Sequence, residues 1–228
     1  MVTARERVRA ELTEEIADAA RRQLAEVGAA ALSLRAVARE VGMVSSAVYR
    51  YFPSRDELLT ALIVDSYRDL ASAAERAVAR AGEGPRDIWR AACAAIRTWA
   101  RRHPQEYALL YGSPVPGYAA PTDTIEPALR VSMVLMGILS DGVGAGIIRP
   151  QPGDWLDRSV ESELARVAQE RCPGVAPTVL ARGMIAWTEL FGAVSFEVFG
   201  RLNSVIENRD AWFAHQVLAM SKLVGLRP

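Results

Sequence analysis

Residues 34–59 read LRAVAREVGMVSSAVYRYFPSRDELL. Apolar residues at helical spacing stop at a glycine, restart after two serines, and stop again at a proline. Two short helices that cross steeply at a tight turn need a small residue where they touch. They also need a residue tolerant of positive φ in the turn and an apolar plug at the junction. Ala38, Gly42 and Val48 stand at those three places. This is helix-turn-helix spacing. It predicts a short second helix over "LRAVAREV" with Ser33 as its cap, and a third over "SSAVYRYF", halted by Pro53.

Upstream, Val8, Leu12, Ile16, Ala20 and Leu24 recur every four residues and predict a first helix that ends at Gly28. Downstream, Ser54 and Glu57 read as a capping box that opens a long helix through about Arg80. Helices are then expected from Arg86 to about His103, around "PQEYALLY", and over 123–145, 155–171, 177–200 and 209–225. "GSPVPGYAAP" is too rich in breakers to be regular. Period-two alternation, the mark of strands, is nearly absent. The fold class is therefore all-α. A three-helix helix-turn-helix domain over 1–53 is joined by a long helix to a larger helical domain over 54–228.

The 228 residues are half hydrophobic, enough to bury a sizeable core. Lys+Arg 27 balance Asp+Glu 27, so any surface for a polyanion has to be a local asymmetry. One exists. Between Leu32 and Arg55, Arg35, Arg39, Arg50 and Arg55 face only Glu40, a net charge of +3, while most acids of the N-terminal segment lie in the first helix. A neutral chain has put positive charge on the element shaped to enter a major groove.

Ser45 and Ser46 open the third helix, where hydroxyls and free backbone N–H groups can meet phosphate. Tyr49 and Tyr51 add phenolic donors. Arg55 lies in the first turn of the long helix, where a cation opposes the helix dipole and a nearby phosphate would relieve it. Bland readings stand beside these. Tyr51 and Phe52 also suit a core, and Arg39 and Arg50 a solvated surface. Arg5, Arg7 and Arg9 suit either an N-terminal arm toward phosphates or the minor groove, or a solvated helix face.

Other function classes find little support. Cys93 and Cys172 match no metal or redox spacing and read as buried thiols, and His103 and His215 are isolated. No metal or cofactor is expected. The N-terminus is too charged for a signal peptide, and the apolar run from Val131 is too short for a bilayer. A cytoplasmic protein with no membrane partner follows. His103, Glu106 and Tyr107 lie close together and Asp141 adjoins "DGVGAG", but no nucleophile–base–orienter set accompanies them. Nor do those glycines follow a strand, as a phosphate loop would. No catalytic residue is expected.

From about Ala17 to Ile63, carried by "ALSLRAVAREVG" and "AVYRYFPSRDELL" in unbroken register, the chain resembles the DNA-binding domain of tetracycline-repressor (TetR) family regulators. The family often has Ser or Thr two residues after the turn glycine. Val44 stands there and Ser45 follows, which predicts a third helix starting one residue late. The resemblance implies that Arg35, Ser45, Ser46 and Ala47 face base edges or phosphates and that Tyr49, Tyr51 and Arg55 hold the DNA backbone. Ser33 and Arg50 complete that candidate surface.

"WARRHPQEYALLYGSPVPGY" and "AWTELFGAVSFEVFGRL" are similar to the C-terminal domain of an actinobacterial-type subgroup, with Trp99, His103 and Gly112 in its Trp/His/Gly pattern. That implies a ligand-sensing, dimerising body. The expected function is a ligand-responsive regulator, in the first instance a repressor, that binds a palindromic double-stranded DNA operator as a homodimer. The alternative is a constitutive DNA-binding protein with no small ligand.

Trp99, Tyr107, Tyr111, Met133, Met136, Trp187 and Phe191 are the candidates to hold a small, mainly apolar effector, although such residues at helical spacing also simply build cores. The proline-stiffened loop from Gly112 to Pro121 is expected to cover or shape a cavity mouth. Gly192, Ala193 and Ser195 would permit close helix approach, and the last two helices are the candidate dimer seam.

Overall fold

The structure is a computed structural model and describes residues 3–226. Among these residues the chain forms ten α-helices, two 3-10 turns and no strand. The helices are α1 (Ala4–Val27), α2 (Leu34–Glu40), α3 (Ser45–Val48), α4 (Arg55–Arg80) and α5 (Pro85–Arg102). They continue as α6 (Pro104–Tyr111), α7 (Ile125–Gly144), α8 (Arg158–Arg171), α9 (Pro177–Val198) and α10 (Arg209–Val224). The all-α order expected from the sequence is present. The largest departure is α3, a single turn where eight helical residues were expected. Pro53 disfavours the helical region for Phe52, so after Val48 the chain tightens into turns, with the Tyr51 and Phe52 amides both donating to the Val48 carbonyl at 2.9 and 3.0 Å.

Compactness divides the chain into two units. The first reaches Tyr67 and takes in His103–Pro127, and the second holds Arg68–Arg102 and the chain from Ala128 onward. In the first unit, α1 docks through Ile16, Ala17, Ala19 and Ala20, α2 through Leu34, Val37 and Ala38, and α3 through Val48. Leu58, Leu59 and Leu62 of α4 close this core, which is why the start of the long helix clusters with the helix-turn-helix. Leu109, Val115 and Tyr118 pack against the same core, and the Tyr118 hydroxyl lies 2.9 Å from Thr60 Oγ1. The Pro/Gly loop, expected to cover or shape a cavity mouth, braces the helix-turn-helix core through Val115 and Tyr118. His103, expected to end a helix, sits at the N-cap position of α6 with Nδ1 3.5 Å from Glu106 Oε1.

In the second unit α9 packs on α10, α8 and α5. Trp89, Ala92, Cys93, Ile96, Trp99 and Ala100 form the buried stripe of α5, and the Trp89 indole N–H donates to the Val217 carbonyl of α10 at 3.3 Å. Close helix approach on α9 occurs at Gly183, where a Cβ would overlap Leu139 of α7. Gly192, expected in that role, has open space where its Cβ would be. Asp157 caps α8 by accepting from the Ser159 amide at 2.8 Å, so this helix starts at Arg158 and not at 155. Two helical stretches, 122–144 and 177–198, are long and apolar enough to cross a membrane by length and composition, because each continues past its uninterrupted apolar run. Half of the second is buried inside the fold, as in a core helix.

Candidate nucleic-acid interface

The turn between α2 and α3 is built from the backbone. Gly42 has φ +68°. The Gly42 amide donates to the Arg39 carbonyl at 3.3 Å and the Met43 amide to the Ala38 carbonyl at 2.8 Å, a Schellman closure of α2. Ala38 and Val48 are buried on either side of it, as their spacing predicts. Val44 is the N-cap residue of α3 and Ser45 its first residue, the late start expected from Val44.

Around this turn the candidate residues sort by direction. Arg35, Ser46, Tyr49 and Arg50 are exposed, while Ser45 and Ala47 are half-buried. Tyr51 is half-buried against the core and Phe52 is buried. The two tyrosines therefore differ in kind, Tyr49 presented to solvent and Tyr51 wedged at the edge of the core. Ser33 holds the N-cap position of α2, but its side chain makes no capping hydrogen bond. The Gln23 side chain reaches it from α1 and accepts from the Ser33 amide at 3.4 Å. The Ser54 box is seen on its serine side, where Oγ accepts from the Glu57 amide at 3.1 Å.

Arg55 has an internal employment. Its Nη2 donates to the carbonyls of Ala29 at 2.8 Å and Ala30 at 3.2 Å, so the cation at the start of α4 is met by backbone oxygens without any external anion. Glu40, the one acid of the basic stretch, is paired with Arg22 of α1 at 2.5 Å. Among the described residues Arg35, Arg39 and Arg50 have no ion-pair partner. The +3 counted in the sequence thus stands on this surface as three uncompensated arginines. An α-helix with its side chains fits a groove about 12 Å wide, the major groove of B-DNA.

The candidate effector residues fall into two groups. Tyr107 and Tyr111 belong to the first unit, where their rings lie 5.1 Å apart and Tyr67 meets Tyr111 edge-on at 6.1 Å. Burial pushes the Tyr111 phenol well above its ordinary range. Trp99, Met133, Met136, Trp187 and Phe191 belong to the second unit. Trp99 and Phe191 are buried there, Met136 is half-buried, and Met133 is exposed. The Trp187 and Phe191 rings stand 5.3 Å apart, and the buried Trp187 Nε1 has no hydrogen-bond partner among the described residues. An open cavity of about 550 Å³ lies in this unit between α5 and α10, floored by Trp89, Phe213 and Val217 and rimmed by Arg86, Arg90 and Asp210. None of the seven candidate effector residues lines it.

With this geometry in hand, residues 16–62 match the family described as bacterial regulatory proteins, tetR family. Residues 89–220 match the tetracyclin repressor-like C-terminal domain. Over 199 residues the chain is 44% identical to an HTH-type transcriptional regulator of Mycobacterium tuberculosis, covering 85% of this chain and 83% of that protein. A regulator of Mycobacterium bovis matches equally well. The chain belongs to the TetR family. Among solved structures, a candidate regulatory protein, SCO4313, is 33% identical with a TM-score of 0.79 and covers 96% of this chain and 98% of its own. PfmR, a TetR family regulator from Thermus thermophilus, shares the fold at 19% identity, with a TM-score of 0.60 and 93% and 99% coverage.

As a TetR-family transcriptional regulator with a DNA-binding helix-turn-helix, the chain is not an enzyme. Arg9, which the sequence leaves between an arm toward DNA and a solvated helix face, touches the reading region itself. The guanidinium of Arg9 lies 5.7 Å from the centroid of the Tyr51 ring, and its Nη2 is 3.5 Å from the Arg50 carbonyl it donates to. The signal was available in the register. Arg9 continues the stripe of Ile16 and Leu12 at helical spacing.

Proposed function

We propose that this TetR regulator is a ligand-responsive repressor that acts in the cytoplasm as a homodimer on a palindromic operator. Residues 1–53 read DNA, and residues 54–228 sense the effector and dimerise. One observation carries the reading: a helix turn at Ser45–Val48 that buries Val48 and presents Ser46 to solvent, accompanied by exposed Arg35, Arg39 and Arg50 without acid partners among the described residues. Arg35, Ser45, Ser46 and Ala47 address base edges or nearby phosphates, and Tyr49 and Arg50 the backbone. Tyr51, Ser33 and Arg55 act from behind, since each is engaged with the protein's own structure.

The dimer seam is supported by an apolar face of α9 that stands exposed on the protein surface. Ile185, Thr188, Gly192 and Phe196 recur on one side of α9 and are not buried, and Trp212 of α10 is exposed with His215 stacked on it. A two-fold seam presents two identical reading heads, which is why the operator is palindromic. The effector is mainly apolar and sits among Trp99, Met136, Trp187 and Phe191, with one acceptor atom for the unpartnered Trp187 N–H. It releases DNA by favouring the dimer state that binds the operator less well.

Selection of bound duplexes from a random pool tests the DNA half. Enrichment of an inverted repeat supports it, and a pool that stays random sinks it. Screening apolar compounds for release of that operator tests the sensor half. No release by any compound leaves the constitutive reading in its place.

A further inference from the structure

The stripe that docks α1 runs through Gln23, Ala20, Ala19 and Ile16, all buried, and through half-buried Leu12. Carried toward the N-terminus at the same three- and four-residue spacing, it passes next through Arg9 and Arg5. The stripe turns basic where α1 outruns the core, for every residue from Thr3 to Glu11 is exposed. This projecting end is nevertheless ordered by its own chemistry. The Thr3 amide donates to Glu6 Oε2 at 2.7 Å and the Glu6 amide to Thr3 Oγ1 at 3.3 Å, a complete capping box.

Arg9 reaches across to the reading region, over the Tyr51 ring and onto the Arg50 carbonyl, the segment that directly follows α3. Arg5 lies one turn further out on the same face, about 6 Å away between Cβ atoms. Among the described residues it has no ion-pair partner. Arg7 is rotated by about 200° from both and faces the other way. The first turns thus hold a face-specific pair of arginines beside the DNA-reading turn. Further along α1 the exposed positions carry Glu11, Glu14, Glu15 and Asp18, the acidic character of an ordinary solvated face.

We propose that Arg5 and Arg9 form a second DNA-backbone surface on α1, taking duplex phosphates that flank the bases under α3, and that Arg9 also positions Tyr51. This surface rests on the DNA-reading function proposed above. It carries no base specificity, because phosphates look alike in every sequence.

The test uses the full chain and the operator that the wild type selects, with affinity measured against salt concentration for Arg5→Gln, Arg7→Gln and Arg9→Gln. Each lost phosphate contact lowers the slope of log affinity against log salt by about 0.9. Arg5→Gln is expected to lose about one such step and several-fold in affinity on every sequence, with the selected motif unchanged. Arg9→Gln loses at least as much, and Arg7→Gln changes neither quantity. Thermal melts of the three variants confirm that each is folded. Equal losses in Arg5→Gln and Arg7→Gln, or a wild-type slope in Arg5→Gln, overturn the surface while leaving the regulator's function intact. A wild-type chain that selects no duplex overturns both.

Discussion

The Met43 amide donates to the Ala38 carbonyl at 2.8 Å across a turn in which Gly42 holds φ +68°. That bond ends α2 and aims α3. A Cβ at Gly42 would meet nothing within 4 Å, so the demand for glycine is conformational alone. The left-handed region costs an L-residue roughly 1–2 kcal/mol. Gly42→Ala should therefore lower unfolding free energy by about that amount in urea titrations at fixed protein concentration, and should weaken operator binding if the strain turns α3. An unchanged midpoint would mean the turn does not need its glycine.

Two exposed residues of the reading surface should fail in different ways. Removing a base-reading arginine costs roughly 1–3 kcal/mol and relaxes specificity at one position of each half-site. Arg35→Ala is expected to show that pattern in a selection from random duplexes. Tyr49→Phe should weaken all sequences alike, since a lost phosphate contact carries no sequence information. If Arg35→Ala leaves both motif and affinity as they were, Arg35 belongs to the solvated surface.

Much of this arrangement was legible because helical periodicity and turn chemistry are local. Ala38, Gly42 and Val48 could be read from spacing alone, and each stands where its size and backbone freedom are needed. The length of α3 was less legible, because Pro53 acts through the preceding residue and unwinds what apolar spacing suggests. Long-range employments left no local trace. Arg55 spends its guanidinium on carbonyls of Ala29 and Ala30, Glu40 is drawn to Arg22, and Tyr118 braces Thr60. The candidate effector residues stand out in the sequence by residue type alone. Type cannot tell a ring that lines a cavity from one that fills a core, and the set divides between the two units.

Arg97 joins three helices of the second unit. Its Nε and Nη2 donate to the Glu197 carboxylate at 2.6 and 2.8 Å, Nη2 lies 2.8 Å from Asp210, and the guanidinium sits 4.8 Å from the Phe213 ring centroid. The Arg97 and Glu197 side chains are only 11% and 10% exposed, whereas Asp210 is 81% exposed. Arg97→Met should cost about 3 kcal/mol by leaving Glu197 a largely buried charge whose remaining cation, Arg101, is 3.6 Å away and exposed. Asp210→Asn should cost under about 1 kcal/mol, as an exposed partner does. Equal costs in urea unfolding would show that burial does not govern this network.

Burial pushes the Cys93 thiol well above its ordinary value. In the unfolded chain the thiol ionises near pH 8.5, while in the folded chain it keeps its proton. Above about pH 8.5 the folded state thus binds more protons, and stability falls as pH rises, by up to about 1.4 kcal/mol per pH unit from this one group. The contribution is fully present below that pH. Cys93→Ala should flatten the loss between about pH 8.5 and 10, whatever its constant cost in packing. Parallel pH profiles for the variant and the wild type would remove Cys93 from the account.

The last prediction concerns the seam. Ile185 and Phe196 are 54% and 55% exposed on one face of α9, and the open space at Gly192 lies between them in sequence on that face. In water two such faces gain roughly 25 cal/mol for each Å² of apolar surface they hide from solvent. A charge placed at the centre of a dry contact has to be desolvated without a partner, which costs far more than the lost apolar area. Phe196→Arg should therefore yield monomers in sedimentation at micromolar concentration. Its far-ultraviolet spectrum should stay helical, because Phe196 is not part of the intrachain core. Operator affinity should fall more than any single variant at Arg35 or Tyr49 makes it fall, since the second reading head is lost as a whole. A variant that remains dimeric and binds like the wild type would move the seam off this face of α9.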